Sequence, residues 1–217
     1  DAVFIKIDDR IDLTSKYGYA LKNPHWFLSA LFNFRTQFDK GYVIEDGKEV
    51  GQFTSNFMAP AYSIASLGID YKPNEYFSAF ISPITAKMTI VNEDRLAPDY
   101  GLDPGDNFRM EIGAFAKITY RRDIFENVNL DTRLDLFSNY SEKPQNVDVN
   151  WQTLITMKIN NWLSATLTTQ VIYDDDVIIG ATEAVLDDEG AVVVPAKSGG
   201  PRTQLREVFA LGISYKF

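Results

Sequence analysis

The chain has 217 residues, with 30 acidic and 21 basic side chains and a formal net charge of −9. It contains no cysteine, which excludes disulfide bridges and thiolate zinc sites, and no basic stripe indicates a nucleic acid partner. No apolar run approaches the length of a transmembrane helix. There is neither a signal peptide nor an initiating Met, and we interpret the chain as a mature or truncated form with a single domain, 1–217.

Apolar and polar residues alternate along most of the chain, and a period of two residues is typical of a β-strand. Phe32, for example, belongs to an apolar set and Asn33 to the polar set between its members. Within 76–91 the alternation changes phase around Ser82 and Pro83, which predicts a bulge. The pattern predicts strands at 9–20, 26–39, 61–72, 76–91, 108–122, 127–140, 146–159, 162–174 and 203–217.

Several of these predicted strands are more than twice as long as the strands of about 5–6 residues that globular proteins contain. A membrane-spanning strand needs roughly 9–11 residues in the bilayer core and presents one continuous apolar face. The pattern therefore predicts an all-β fold, a transmembrane antiparallel up-and-down β-barrel with about nine or ten strands in this chain. A soluble barrel of the lipocalin type is the alternative.

The predicted connections alternate between short turns and long loops, and the long loops lie at about 40–60, 92–107 and 175–202. Outer-membrane barrels place short turns in the periplasm and long loops outside the cell. We therefore expect an integral protein of the bacterial outer membrane, with a periplasmic C-terminus and with membrane lipids and lipopolysaccharide as neighbours. The segment AVVVP (191–195) is expected to pair with VII (177–179) in a hairpin above the membrane.

The apolar face is expected to contact lipid, and the last strand is expected to pair with the first to close the barrel. The residues expected to face lipid are Phe32, Ile112, Leu134, Ile155 and Leu211. The residues expected to face the lumen are Asn33, Arg109, Arg133, Gln152 and Ser214.

The strand count conflicts with simple closure, because bacterial single-chain barrels have an even number of strands and both termini in the periplasm. With Phe217 at the periplasmic end, the first of nine strands would start outside the cell. Three solutions remain open. Ala2–Ile7 forms a short tenth strand, an odd number of strands is missing upstream, or another chain closes the barrel.

Much of the sequence resembles an uncharacterised family of Bacteroidota outer-membrane β-barrels that carries a domain-of-unknown-function label. The resemblance covers nearly all of the chain and implies location and fold, not activity. Members of that family look longer at the N-terminus, which implies three upstream strands and a barrel of about twelve. The segments are SKYGYALKNPHWFLSALFNFRTQFDKGY (15–42), SNFMAPAYSIASLGIDYKPN (55–74), ISPITAK (81–87), DLFSNY (135–140), VDVNWQTLITMKIN (147–160) and VIYDDD (171–176).

The chain ends in Tyr215 and Phe217, which look like the C-terminal signal that outer-membrane barrels present to the barrel-assembly machinery. The single histidine, His25, falls in a predicted periplasmic turn. Barrel enzymes need a histidine beside Ser or Asp near the outer surface, where it can activate an oxygen nucleophile or water. We therefore expect no enzymatic activity and no cofactor, and a barrel-embedded enzyme is the least favoured alternative.

Charged residues of opposite sign face each other on the predicted strands 108–122 and 127–140. Interleaved signs favour pairing and hence a filled lumen, whereas a selective pore more often carries a ring of one sign. A water-filled channel without pairing is the alternative. The predicted charge network is Arg109, Glu111, Lys117, Arg121, Asp131, Arg133 and Asp135.

Two acidic clusters in or near the last long loop are candidate cation sites, because carboxylates at this density can hold Ca²⁺ or bridge to lipopolysaccharide phosphates. EF-hand spacing is absent, and a solvated loop is the ordinary alternative. The clusters are Asp174, Asp175 and Asp176, followed by Asp187, Asp188 and Glu189.

The sequence identifies no substrate. It favours a non-enzymatic barrel that serves as an accessory or structural subunit of a larger outer-membrane complex, with other outer-membrane proteins or lipoproteins as partners. A small-solute channel or transporter is the alternative. The loops at 40–60 and 175–202 are the expected contacts with a partner.

Overall fold

The computed structural model describes residues 9–45, 48–177, 185–186, 192–194 and 199–213. Within these ranges the structure has one helix, the 3₁₀ helix Ala97–Tyr100. It has no helix that is long and apolar enough to cross a membrane. The strands are β1 (Ile11–Ala20), β2 (Trp26–Thr36), β3 (Gly41–Glu45), β4 (Lys48–Ser55), β5 (Ala61–Tyr71), β6 (Phe77–Ile90), β7 (Phe108–Phe125), β8 (Val128–Asn139), β9 (Val147–Lys158), β10 (Leu163–Tyr173), β11 (Val185–Leu186), β12 (Val192–Val194) and β13 (Gln204–Ile213).

Nine of these strands form one antiparallel sheet in the order β1-β2-β5-β6-β7-β8-β9-β10-β13. Each strand of this sheet pairs with the next long strand along the chain, which is an up-and-down arrangement. All nine were predicted from the period-two pattern, with ends that differ by a few residues. The all-β, antiparallel, up-and-down architecture is therefore confirmed.

The predicted bulge on β6 is also confirmed. The register between β6 and β7 shifts between Ser82 and Thr85, and the register between β5 and β6 shifts between Leu67 and Ile69. Along a regular strand, even-numbered and odd-numbered residues face opposite sides of the sheet. The extra residue of the bulge reverses this assignment within β6, so that Phe80 and Lys87 are both buried on the same face.

The two small hairpins differ from expectation. Val192–Val194 pairs with Val185–Leu186, whereas the predicted partner, 177–179, lies mostly outside the described residues. The observed partner is closer in sequence, and a shorter connection costs less entropy to close. The hairpin of β3 and β4 inside the loop 40–60 was not predicted at all.

The connections define two ends of the sheet. At the turn end, short turns join β1 to β2, β5 to β6, β7 to β8 and β9 to β10. At the loop end lie β3, β4, the segment 91–107 and the segment 140–146.

The sheet is curled, as contacts between distant strands show. In a flat sheet β6 and β9 would lie about 14 Å apart, because three strand spacings separate them. Lys87 Nζ on β6 nevertheless lies 2.5 Å from Asp148 Oδ2 on β9. Lys16 Nζ on β1 lies 4.7 Å from the centre of the Phe80 ring on β6. The face that carries these four residues is the inner face of the curl.

The inner face is polar and buried, whereas the outer face is apolar and exposed. On β2, Ser29 and Asn33 point inward and are 2% and 7% exposed. Leu28 and Phe32 on the same strand point outward and are 53% and 42% exposed. A protein that folds in water places its apolar residues the other way round. Outward side chains more than half exposed include Leu67, Ile81, Ile84, Met110 and Leu211.

The predicted pairing of the last strand with the first is not present in the described residues. β1 and β13 stand at the two edges of the sheet, and their residues are almost all exposed on both faces. The physical reason is direction: in nine alternating strands the first and ninth run the same way, so they cannot pair antiparallel. The segment Ala2–Ile7 and Ser214, about which the sequence also made predictions, lie outside the described residues.

Candidate functional site: the inner face of the curled sheet

Lys87 is the centre of a charged cluster on the inner face near the loop end. Lys87 is 7% exposed. Its ammonium group lies 2.5 Å from Asp148, 3.2 Å from Asp174 and 3.8 Å from Glu111. It also lies 5.1 Å from the centre of the Phe137 ring. The bulge in β6 turns Lys87 inward, and the curl brings carboxylates from three other parts of the sheet around it.

Arg109 extends this cluster toward the loops. Its guanidinium lies 3.2 Å from Glu111 and 3.0 Å from Asp176, and Nη1 donates a hydrogen bond of 3.0 Å to the carbonyl oxygen of Gly101. Arg109 therefore connects the wall of the sheet to the segment 91–107 and to the residues that follow β10. We call Lys87, Arg109 and their carboxylate partners the mouth cluster.

An apolar layer lies below the mouth cluster, deeper inside the curl. It is formed by Leu31, Phe80, Phe115 and Phe137, which are 0–5% exposed, and Ile64 packs against it. These side chains come from β2, β6, β7, β8 and β5, so the layer fills the space enclosed by that half of the sheet. The inner face of β9, β10 and β13 does not contribute to it.

The middle of the predicted charge network lies beside this layer. Lys117 Nζ lies 3.9 Å from Asp135, and Arg133 binds the same carboxylate, with Nη2 2.6 Å and Nε 2.8 Å from Oδ2. Arg121 and Asp131 form a pair at 3.0 Å, but the arginine side chain is 71% exposed and lies at the turn end. The structure therefore brings all seven predicted residues into ion pairs, which fall into three separate groups.

A further ionic group lies at the turn end of the inner face. Asp70 is fully buried and lies 2.8 Å from Lys16 and 3.1 Å from Lys72. Ser78 donates a hydrogen bond of 2.9 Å to the same carboxylate. Since Lys16 also lies over Phe80, this group covers the apolar layer from below as Lys87 covers it from above.

The acidic cluster that follows β10 is divided among different partners. Asp174 contacts Lys87, and Asp176 contacts Arg109. Asp175 accepts hydrogen bonds from Asn146 at 2.6 Å and Tyr173 at 3.1 Å, and lies 3.5 Å from Lys143. The Asn146 amide, with smaller effects from Tyr173 and Lys143, lowers the pKa of the Asp175 carboxyl below its ordinary value.

These contacts bear on the predicted calcium site. In the part of the chain that the structure describes, no group of three or more histidine or acidic side chains is placed to hold a metal ion. A cavity of about 40 Å³ lies between the mouth cluster and the loop 141–146, and Glu111, Asp148, Asp175 and Asp176 contribute to its lining. Asp187, Asp188 and Glu189 lie outside the described residues.

The long loops fold into a unit of their own at the loop end. β4, the segment 56–60 and the segment 91–107 enclose an apolar core in which Ala59, Val91, Leu96, Ala97 and Leu102 are 0–5% exposed. We call β3, β4, 56–60 and 91–107 the loop cap.

Hydrogen bonds fasten the two halves of the loop cap together. Asn92 N donates to Met58 O at 2.9 Å, and the Tyr100 hydroxyl donates to Thr54 O at 3.2 Å. Arg95 donates to Phe53 O. Burial, together with the nearby Asp99 carboxylate, raises the pKa of Tyr100 to about 12, so its hydroxyl keeps its proton at neutral pH.

The remaining residues singled out from the sequence are His25, Tyr215 and Phe217. His25 lies in the turn between β1 and β2, with Nδ1 3.2 Å from Lys72 O. Tyr215 and Phe217 lie outside the described residues.

Sequence reasoning missed Lys16, Asp70, Lys87 and Asp148. Each was visible as a charged residue in a predicted strand, and the phase change at Ser82 gave the signal that Lys87 points inward.

The start of the chain matches a known family. Residues 1–42 match the model of a family described as Protein of unknown function (DUF3078). The DUF3078 match spans β1 and β2 and ends within β3. It agrees with the resemblance to a family that carries a domain-of-unknown-function label. No curated protein and no solved structure matched this sequence.

Proposed function

We propose that this chain is part of an integral outer-membrane β-barrel without enzymatic activity. The observation that carries the proposal is the inverted arrangement of the two faces, with Lys87, Glu111 and Asp70 buried inside and Phe32 and Leu211 exposed outside. Exposure of so many apolar side chains to water is unfavourable, whereas their exposure to lipid is favourable. Within a bilayer, a β-sheet satisfies all of its backbone hydrogen-bonding groups only when it closes into a barrel.

Closure of this barrel requires strands beyond the nine of the described sheet. Because β1 and β13 run in the same direction, antiparallel closure takes an odd number of additional strands. Three would give twelve, the even number that the family resemblance implies. A second copy that is inserted the same way cannot solve the problem, because its β13 would also run parallel to β1.

We further propose that the barrel is an accessory or structural subunit of a larger outer-membrane complex. The loop cap supports this role, because loops with their own apolar core present a preformed surface, and preformed surfaces lose less entropy on binding. This assigns the contact surface to the loop at 40–60 together with 91–107. The loop 175–202 remains part of the proposal, and most of it lies outside the described residues.

Two experiments test these proposals. The purified protein should migrate differently in gels before and after heating, as closed barrels do, and should float with lipid vesicles after reconstitution; a soluble, non-shifting protein would refute the membrane barrel. For the second proposal, a variant in which 41–55 is replaced by a short turn should still insert but lose proteins that copurify in mild detergent. If the same proteins still copurified, the loop cap would not be the contact surface.

A small-solute channel is the second candidate, because the buried apolar layer does not extend to the inner face of β9, β10 and β13. Thr156, Thr166 and Thr168 on β9 and β10 are partly exposed there, in contrast to the buried apolar layer.

A further inference from the structure

We infer that the outer face of β8, β9, β10 and β13 binds a transmembrane segment of a different protein, and that this segment presents a basic side chain to Glu207. The inference rests on the proposed membrane barrel, and it adds a contact within the bilayer to the surface assigned to the loop cap.

The first step is a row of polar side chains that crosses the outer face of these four strands. The row consists of direct partners in neighbouring strands, namely Thr132 and Thr153, Thr153 and Thr169, and Thr169 and Glu207. The outward residues on either side of the row along each strand are apolar, which places the row within the apolar band and not at its border. These residues are Leu130 and Leu134, Trp151 and Ile155, Leu167 and Val171, and Leu205 and Phe209.

The outer face of the other strands provides a comparison. At the middle of β2, β5, β6 and β7 the outward residues are aliphatic or aromatic, so the polar row is confined to one side of the sheet. The outward residues there include Leu28, Ala30 and Phe32, Ala65 and Leu67, Ile81, Ile84 and Ala86, and Ile112, Ala114 and Ala116. A wall that contacts only lipid is apolar throughout, and the row departs from this pattern.

The two ends of the row differ in how their polar groups are satisfied. Thr132 Oγ1 accepts a hydrogen bond of 2.9 Å from Trp151 Nε1 and lies 2.9 Å from Thr153 Oγ1, so this end is paired within the sheet. In the part of the chain that the structure describes, no hydrogen bond or ion pair reaches the Glu207 carboxylate, and Glu207 is the one carboxylate at an outward position of the nine strands.

The bilayer makes such a carboxylate informative. Ionisable side chains at membrane depth are costly unless they are paired, and polar side chains join transmembrane segments because lipid offers them no hydrogen bonds. Glu207 therefore marks the point where a cation from outside the described sheet docks, and Thr169 beside it offers a hydroxyl to the same partner.

Charge complementarity identifies the occupant as a different protein. Among the outward residues of the nine strands, as far as they are described, the one basic side chain is Arg122, which lies over the Tyr76 ring at the turn end. Glu207 lies near the loop end of β13, so a second copy inserted in the same direction cannot bring Arg122 to it. Strands that close the barrel would lie beside β13 and would leave the outer face of β8, β9 and β10 open to a partner.

Photocrosslinking in intact cells of the native host tests the contact, with p-benzoylphenylalanine placed at Thr169 of the full-length chain. We expect an ultraviolet-dependent adduct with another membrane protein, and mass spectrometry should show that the crosslinked segment is apolar and contains a lysine or an arginine. The matched control carries the same crosslinker at Ile84, an outward position at the middle of β6, and should give no protein adduct. An adduct with a second copy, a crosslinked segment without a basic residue, or no adduct at all would overturn the inference.

A second variant, Glu207→Leu, separates a partner protein from a partner in the same chain. Leucine is favourable in lipid, so the variant, purified and reconstituted alone, should insert and should unfold at the same urea concentration as the wild type or at a higher one. In cells, the adduct at Thr169 should be lost. A lower unfolding midpoint would mean that a strand of the same barrel already pairs with Glu207, and this result, like a retained adduct, would refute the contact.

The outcomes distinguish this inference from the proposed function. If the heat-dependent gel shift and vesicle flotation show insertion but Thr169 gives no adduct, the contact is refuted while the membrane barrel stands. If the protein does not insert at all, the membrane barrel and the contact fall together.

Discussion

Lys87 Nζ lies 2.5 Å from Asp148 Oδ2, although two whole strands separate β6 from β9 in the sheet. This contact forms only when the sheet is curled, so it couples the curvature of the fold to a buried charge. Asp174 and Glu111 share the same ammonium group, and removal of Lys87 would leave three carboxylates close together with less compensation.

We therefore expect Lys87→Met to destabilise the protein by about 3–5 kcal/mol, the usual cost of leaving buried charges without their partner. Urea unfolding in lipid vesicles, followed by tryptophan fluorescence, measures the change. Lys143→Met is the matched control, because the Lys143 side chain is 70% exposed and its pair should contribute about 0–1 kcal/mol. Equal losses in the two variants would contradict the assigned role of Lys87.

The outer face gives a second prediction. Ile112→Arg places a charge on an outward position and should cost about 2–4 kcal/mol if that position lies near the bilayer midplane. Asn150→Arg on the inner face, where Asp135 is the direct partner across β8 and β9, is the control, and its effect should be smaller because the inner side is polar. The same unfolding assay measures both. If the inner variant were the more damaging one, the assignment of the two faces would be reversed.

The alternation of residues was sufficient to predict the nine strands and their two faces, because the pleat fixes a period of two wherever one face is apolar. The β3–β4 hairpin carried a turn signal too, since Asp46-Gly47 separates two apolar segments. The core of the loop cap could not be predicted, because Leu96 and Leu102 belong to no periodic pattern of apolar residues. Asp148 and Lys87 were equally unpredictable as a pair, because their contact depends on the curl of the whole sheet.

Gly113 gives a third prediction, on the packing of β7 against β8. A Cβ atom at this position would lie 2.1 Å from the backbone oxygen of Ser138 and 2.9 Å from the ring of Phe137. Gly113→Ala should therefore force the two strands apart and cost about 1–3 kcal/mol. Gly200→Ala is the control, because nothing lies within 4 Å of a Cβ there. A neutral Gly113→Ala would show that the strands separate more easily than their close approach implies.

Asp175 gives a prediction on pH dependence. Its carboxyl pKa is lowered in the folded protein, chiefly by the Asn146 amide, relative to about 3.9 in an unfolded chain. A lowered pKa contributes stability that is fully present above the unfolded value and disappears as the pH falls through the folded value. The stability difference between wild type and Asp175→Asn should thus be constant above about pH 5 and shrink below about pH 4.

Equilibrium unfolding at several pH values measures this difference, and Asp103→Asn, at an exposed position of the loop cap, is the control. A difference that grows as the pH falls would have the wrong sign for a lowered pKa.

The two edges of the sheet give the last prediction. Direct pairing of β1 with β13 would be parallel, so we expect other strands to separate them in the membrane. Cysteine at Tyr17 combined in turn with cysteine at Leu205, Phe209 or Leu211 should give no disulfide under mild oxidation, because bridged Cα atoms must lie within about 7 Å. Tyr17→Cys with Ala30→Cys is the positive control, since these residues are direct partners across β1 and β2. Gel mobility before and after reduction reports the crosslink. Efficient crosslinking between β1 and β13 would mean that the nine strands close on themselves through a parallel pair, and the proposal of additional strands would then be wrong.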